Sequence, residues 1–270
     1  MTTATAIQRD ITIGDCRLIL GDMRAVLPEL RESEGVRAHM VLSDPPYALT
    51  SGGNTTGEMG GCFAKGRYDN SGALFDLVDW SDMAPLIREI LRDDADAVIM
   101  TSDRELHRAQ AAFMGAGFGF HRLLVWDKVT ATPNRWYMPN AEFALYLYVG
   151  AARRIADCAS KSMIRVRQKD VSQWFHGPDV AHAARVAHPT EKPVELMRYW
   201  LENSTRVGEL VVDPFMGAGS TLLAAAATGR CAIGIEKDEK WFNVAVARLQ
   251  AALNEPSFDL SAPAKSAEVA

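Results

Sequence analysis

The sequence predicts an α/β protein: a doubly wound, mostly parallel sheet with helices on both faces. Three observations carry this. Short β-rich runs alternate with longer helical stretches over most of the 270 residues. Two of those runs end in an acid followed by proline, Asp44-Pro45 and Asp213-Pro214. A third run ends in the acid Glu236 just before a long helical stretch.

The elements follow in order. The run AHMVLS, Ala38–Ser43, is apolar enough for a buried strand and stops at Asp44. A helix is predicted at about 82–92. AVIMT at 97–101 is the next strand, and 103–114 the next helix, capped by Ser102 or Asp103. Residues 123–126 and 143–149 follow as strands, the second rich in β-forming side chains. Pro193 suits a first helical turn and opens a helix over 193–203. A short strand at 209–212 runs into Asp213. STLLAAAAT at 220–228 is an Ala-rich helix, 231–235 a strand and 238–253 a long helix.

Two stretches break the rhythm. Residues 48–74 include SGGNTTGEMGG and few core-forming side chains; a loop that long inside a compact domain is usually functional or mobile. Residues 150–187 are basic and irregular, with Trp174, Phe175, His176 and His182, and predict an inserted subdomain. Residues 254–270, with Pro256 and Pro263, predict a frayed tail.

Composition bounds the function. Hydrophobic residues at 48% and charged residues at 23% fit a globular chain with a sizeable core. No apolar run approaches the ~20 residues that span a bilayer. Residues 1–10 lack a basic start and an apolar stretch, so no signal peptide is expected and the cytoplasm is the expected compartment. Cys16, Cys62, Cys158 and Cys231 form no C-x-x-C pair, which predicts free thiols and no metal site. A net charge of −5 argues mildly against nucleic acid. Its distribution argues back: residues 153–169 carry Arg153, Arg154, Lys161, Arg165, Arg167 and Lys169 against Asp157 alone. Such a strip either binds a polyanion or is simply solvated, and charge alone leaves both open.

Two motifs carry chemistry. In Asp213-Pro-Phe215-Met-Gly217-Ala-Gly219-Ser220-Thr221, a short strand enters a glycine turn and then a helix. The glycines let the backbone turn tightly and let a ligand approach it. Glu236 follows 23 positions later at the end of the next strand, a spacing that suits ribose hydroxyls. There is no P-loop, and Leu222 stands where a dinucleotide fingerprint needs its last glycine. Asp213 would sit poorly beside a pyrophosphate but well beside a sulfonium or ammonium. A plain strand-to-helix turn is the alternative. The second motif is Asp44-Pro45-Pro46-Tyr47. Its prolines stiffen the backbone and remove two N–H donors, leaving carbonyl oxygens and the Asp44 carboxylate to accept from an amine. Tyr47 adds a flat face for stacking. A rigid turn capping a strand is the competing reading.

Together these motifs resemble the DNA amino-methyltransferases that act on adenine N6 or cytosine N4, and their order, catalytic loop first, is similar to the β class. The resemblance extends to Ile13-Gly14-Asp15-Cys16, to His188-Pro-Thr-Glu-Lys192-Pro193 and to Gly234-Ile-Glu236-Lys237. It implies a seven-stranded S-adenosylmethionine-dependent methyltransferase fold. On that basis 1–149 is the catalytic part, 150–187 a target-recognition insert and 188–253 the cofactor-binding part. S-adenosylmethionine is the implied cofactor, held by Asp15, Cys16, Asp44, His188, Lys192, Asp213, Phe215, Gly217, Gly219, Ser220, Glu236 and Lys237. Asp44, Pro45, Pro46 and Tyr47 are the implied catalytic residues. Double-stranded DNA is the implied partner, its target base flipped out, with the six basic residues of 153–169 on the phosphates. An Asp at position 44 leans toward adenine over cytosine. Members of the family often form homodimers. The competing readings are cytosine N4 methylation, methylation of another amine or amide in protein or RNA, a non-catalytic DNA-binding subunit, and a nucleotide-dependent oxidoreductase.

Overall fold

The computed structural model describes residues 6–46, 77–129, 137, 140–166 and 191–254. Within them, nine strands form one sheet: β1 (Arg9–Ile13), β2 (Cys16–Leu20), β3 (Ala38–Ser43), β4 (Leu91–Thr101), β5 (Gly119–Asp127), β6 (Ala141–Val149), β7 (Met163–Arg165), β8 (Leu210–Asp213) and β9 (Cys231–Glu236). Their order across the sheet is β1-β2-β9-β8-β3-β4-β6-β5-β7. The five strands from β2 to β4 run parallel, and β6 lies antiparallel between β4 and β5. The run from β2 to β5 is the expected seven-stranded unit. An antiparallel β1 and a parallel β7 extend it at the two edges.

The near-continuous apolar strands are explained by burial on both faces. On one side pack α1 (Met23–Glu32), α2 (Trp80–Ile90) and α3 (Leu106–Gly115), with Leu27, Ile87 and Phe113 against Val41, Ile99 and Ile233. On the other pack α4 (Val194–Ser204), α5 (Ser220–Ala227) and α6 (Glu239–Asn254), with Trp200, Leu223 and Phe242 against Leu18, Met40 and Val98. Strand order reverses between β8 and β3. There the carboxyl ends of two parallel strands splay their outgoing chains apart and open a crevice.

Several bounds differ from the sequence reading, each for a local reason. β1, β2 and α1 were not among the predicted elements. The first two form a hairpin closed by Gly14 and Asp15, with Ile13 opposite Cys16 and Gly14 at φ +57°. α2 starts at Trp80 because the Asp79 side chain accepts from the Ser81 amide at 2.9 Å. α3 starts only at Leu106. Ser102 and Asp103 accept from the Glu105 and Arg104 amides, at 3.3 and 3.0 Å, and so hold a turn ahead of the helix.

The segment expected as an insert at 150–187 is described as far as Val166, and within that part Met163–Arg165 joins the sheet as β7. β7 pairs with β5, Ile164 and Val166 are buried, and the Trp126 indole donates to the Val166 carbonyl at 2.8 Å. The loop expected at 48–74 and residues 255–270 of the expected tail lie outside the described residues. No helix among the described residues is long and apolar enough to cross a membrane.

Candidate active site

A cavity of about 430 Å³ opens at the carboxyl ends of β2, β9, β8 and β3. That volume falls in the range of roughly 300–1,000 Å³ typical of small-molecule sites. Four strands each deliver one acid to it: Asp22 just beyond β2, Glu236 ending β9, Asp213 ending β8 and Asp44 just beyond β3.

The glycine loop is shaped from beneath. Asp213 is buried, and its Oδ1 accepts from the Ser43 hydroxyl at 2.6 Å and the Phe215 amide at 3.1 Å. Burial pushes its carboxyl up to about 6 against those hydrogen bonds. Gly217, at φ +50°, turns its amide onto Glu236 Oε2 at 3.0 Å, while Glu236 Oε1 accepts from the Asp238 amide at 2.7 Å. Burial also raises the Glu236 carboxyl, opposed by these amides. The loop and Glu236 are therefore one hydrogen-bonded unit.

Gly219 makes the tight turn expected of the loop's glycines. It precedes α5 at φ +84°, and a Cβ there would lie 3.1 Å from the Ala245 Cβ. It lets α6 come close to the loop and does not line the cavity.

The second loop presents Asp44, Pro45 and Pro46 to the cavity. The buried Lys192 ammonium holds Asp44 Oδ2 in an ion pair. Asp44 Oδ1 is buried and has no hydrogen-bond partner among the described residues. Burial raises the Asp44 carboxyl, Lys192 opposes it, and Glu142 adds to it. Glu142, at the start of β6, lies 3.4 Å from Lys192 Nζ and 3.2 Å from Lys128 Nζ. Burial pushes the Glu142 carboxyl up, but the two ammonium groups outweigh it and the net shift is downward.

The structure brings Asp44, Pro45, Pro46, Lys192, Asp213, Phe215, Gly217, Ser220, Glu236 and Lys237 to this one cavity. Tyr47, His188, Arg167 and Lys169 lie outside the described residues. Asp15 and Cys16 are corrected. They sit at the amino end of β2, beside Ala232 at the start of β9, so the full length of the strand separates them from the cavity. Cys16 is core, with Sγ 3.6 Å from the Leu222 carbonyl and its thiol pushed up to about 12 by burial. The acid that β2 does deliver is Asp22, which also caps α1 through the Arg24 amide at 2.9 Å. Hydrogen bonds from Arg24 hold its carboxyl down at about 2. Leu20-Gly21-Asp22 ends an apolar run in the sequence, as Ile13-Gly14-Asp15 does, so the run alone does not single it out.

The basic strip divides. Arg153 follows β6 at the end of the sheet away from the cavity, where Val149 pairs with Ala95. Its Nη2 bonds both carboxylate oxygens of Glu209 at 2.8 Å, which commits it to holding the chain and not to a phosphate. Arg154 is exposed beside Cys158, and Lys161 is exposed above Tyr199. Arg165 ends β7 on the cavity side and bonds Asp127 at 3.0 Å.

Comparison with known proteins agrees with this geometry. A family model described as DNA methylase, of the N6/N4 methyltransferase type, matches residues 38–247. The putative methylase YubD of Escherichia coli K12 is 30% identical over 241 residues, covering 87% of this chain and 90% of that protein. The type II methyltransferase M2.DpnII of Streptococcus pneumoniae is 25% identical over 234 residues, covering 78% and 82%. Among solved structures, the M1.HpyAVI–SAM complex superposes with a TM-score of 0.64 at 21% identity, over 87% of this chain and 98% of that one. The cytosine-N4-specific PvuII DNA methyltransferase reaches 0.68 at 17% identity, over 90% and 89%. At those identities the structures establish the fold, whereas the family model and the 30% identical relative establish kinship: the chain belongs to the N6/N4 DNA methylase family.

Proposed function

We propose that this chain transfers a methyl group from S-adenosylmethionine to the N6 amino group of adenine in duplex DNA. The observation that carries the reading is the state of Asp44: one carboxylate oxygen is held by Lys192, and the other is buried at the cavity with no hydrogen-bond partner among the described residues.

The cavity fits the cofactor by its donor set. Asp22, Asp44, Asp213 and Glu236 make an acidic lining that favours a cationic ligand. Glu236, fixed by two backbone amides, would accept from ribose hydroxyls, and Phe215 and Met197 add apolar surface. S-adenosylmethionine, when bound, supplies an electrophilic methyl group on a positive sulfur.

The remaining difficulty is the nucleophile, because the lone pair of an exocyclic amine is delocalised into its ring. Asp44 Oδ1 and the Pro45 carbonyl accept the two amino hydrogens and so turn the lone pair toward the methyl carbon. As the nitrogen gains positive charge these acceptors hold it more tightly, so the interaction grows toward the transition state. Burial raises the Asp44 carboxyl, and the Lys192 ammonium opposes that rise. The target amine lies inside a duplex, so the base is flipped out, at a cost of a few kcal/mol. Tyr47 stacking is expected to offset roughly 1–3 kcal/mol of that. Arg165, ending the edge strand β7 at the cavity end of the sheet, is the described candidate of the basic strip for a phosphate contact, with Arg167 and Lys169 next along the chain.

Asp at position 44 favours adenine through the family resemblance. The test is transfer of labelled methyl from S-adenosylmethionine to duplex DNA, followed by digestion to nucleosides. Label in N6-methyladenine is expected. Label in N4-methylcytosine would replace adenine by cytosine, and no label in DNA would overturn the reading.

A further inference from the structure

The catalytic loop is backed by a chain of alternating charges that runs away from the cavity: Asp44, Lys192, Glu142 and Lys128. Lys192 Nζ is shared, in contact with Asp44 Oδ2 and 3.4 Å from Glu142 Oε2. Glu142 Oε1 is in turn 3.2 Å from Lys128 Nζ. The Lys192 side chain is only 6% exposed and those of Glu142 and Lys128 about a fifth, so solvent screens these contacts weakly. Glu142 does not line the cavity.

An ammonium bound to one carboxylate alone withdraws electron density from it and weakens it as an acceptor. A second carboxylate on the same ammonium divides that pull. We infer that Glu142 is a positioning residue for methyl transfer: it shares the Lys192 ammonium and so leaves Asp44 a stronger hydrogen-bond acceptor toward the amino group. This rests on the proposed role of Asp44. Among the described residues the charged groups acting on Asp44 are Lys192 before α4, Glu142 on β6 and Asp213 on β8. Lys128, after β5, acts through Glu142.

Glu142 and Lys128 pull in opposite directions, which gives the inference a signature that loss of packing cannot imitate. Without the Glu142 charge, Asp44 takes a larger share of the Lys192 ammonium. Asp44 then ionises more readily but accepts less strongly. Without the Lys128 charge, Glu142 draws Lys192 harder and Asp44 ionises less readily.

The experiment is the pH dependence of kcat for DNA methylation in the full chain, for wild type, Glu142→Gln and Lys128→Met, with S-adenosylmethionine affinity measured in parallel. Glu142→Gln is expected to lower plateau kcat roughly three- to ten-fold and to move the acidic limb about one unit to lower pH. Lys128→Met is expected to move that limb to higher pH. Affinity for the cofactor stays within two-fold of wild type, as expected for groups behind Asp44. A fall in kcat with both acidic limbs unmoved would overturn the inference, and so would wild-type kcat in Glu142→Gln. If Glu142→Gln does not fold, the direction of the Lys128→Met limb decides alone. An Asp44→Asn control separates the two levels. If that variant is inactive while both limbs stay put, the role of Glu142 falls and that of Asp44 stands. If it remains active, the reading of Asp44 itself falls.

Discussion

Arg248 on α6 and Glu191, separated by 57 positions, meet at 2.6 Å beside the cavity. The same guanidinium donates to the Ala218 carbonyl at 2.5 Å. One buried cation thus ties the glycine loop to the segment carrying Lys192. Removing one partner of such a pair leaves the other uncompensated. Arg248→Met should therefore cost about 3–5 kcal/mol in urea unfolding. Unchanged stability would show that the pair is dispensable.

Asp22 and Asp15 make a matched test of where the cofactor lies. Asn caps a helix about as well as Asp, so Asp22→Asn removes a charge from the cavity while keeping the start of α1. S-adenosylmethionine binding should weaken roughly three- to ten-fold, the loss of about 1 kcal/mol. Asp15→Asn, in the hairpin turn, should bind as wild type. Calorimetric titration of both variants checks this, and the reverse ranking would move the site.

Gly219 combines a left-handed backbone with a close neighbour on α6. Gly219→Ala should lose about 1–3 kcal/mol from backbone strain and crowding of Ala245. Thermal unfolding of this variant beside Gly117→Ala isolates the crowding. Gly117 also has positive φ, but a Cβ there meets nothing within 4 Å. Equal losses would leave only strain.

Stability should fall as pH rises from about 4 to 6. Asp96 is fully buried, with one oxygen 3.1 Å from the Tyr146 hydroxyl and the other without a hydrogen-bond partner among the described residues. Burial raises its carboxyl to about 6, and Asp213 is raised to about 6 as well. An unfolded Asp titrates near 4. Between those values the folded chain holds protons that the unfolded chain has released, so raising pH favours unfolding. Asp96→Asn removes one of the two groups. It should flatten the slope and add about 1–3 kcal/mol at pH 7. Urea unfolding at pH 4.5 and pH 7 measures both, and an unaltered slope would contradict the assignment.

The local parts of this architecture were legible in the sequence. Strands ending at Asp44, Asp213 and Glu236 announce themselves, because an apolar run stopping at an acid before proline, glycine or a helix is a nearest-neighbour signal. The choice between Asp15 and Asp22 was not local. Ile13-Gly14-Asp15 and Leu20-Gly21-Asp22 read alike, seven residues apart. Only the pairing of Leu20 with Glu236 shows which aspartate stands at the cavity end. Arg153 looked like part of a basic strip until Glu209, 56 positions on, was seen to hold it. Glu142 and Arg248 act through partners about 50 to 60 positions away, where periodicity and motif spacing carry no information.

The central claim is that the Asp44 carboxylate accepts the amino hydrogens of the target base. Asp44→Asn keeps the size of the side chain and removes its charge. Single-turnover methyl transfer to duplex DNA, measured with S-adenosylmethionine affinity on the same preparation, tests the claim most directly. Transfer is expected to be slower by about 100-fold or more, well beyond the roughly three- to ten-fold loss of cofactor affinity that removing one acid of the lining causes. Transfer near the wild-type rate in that variant would contradict it.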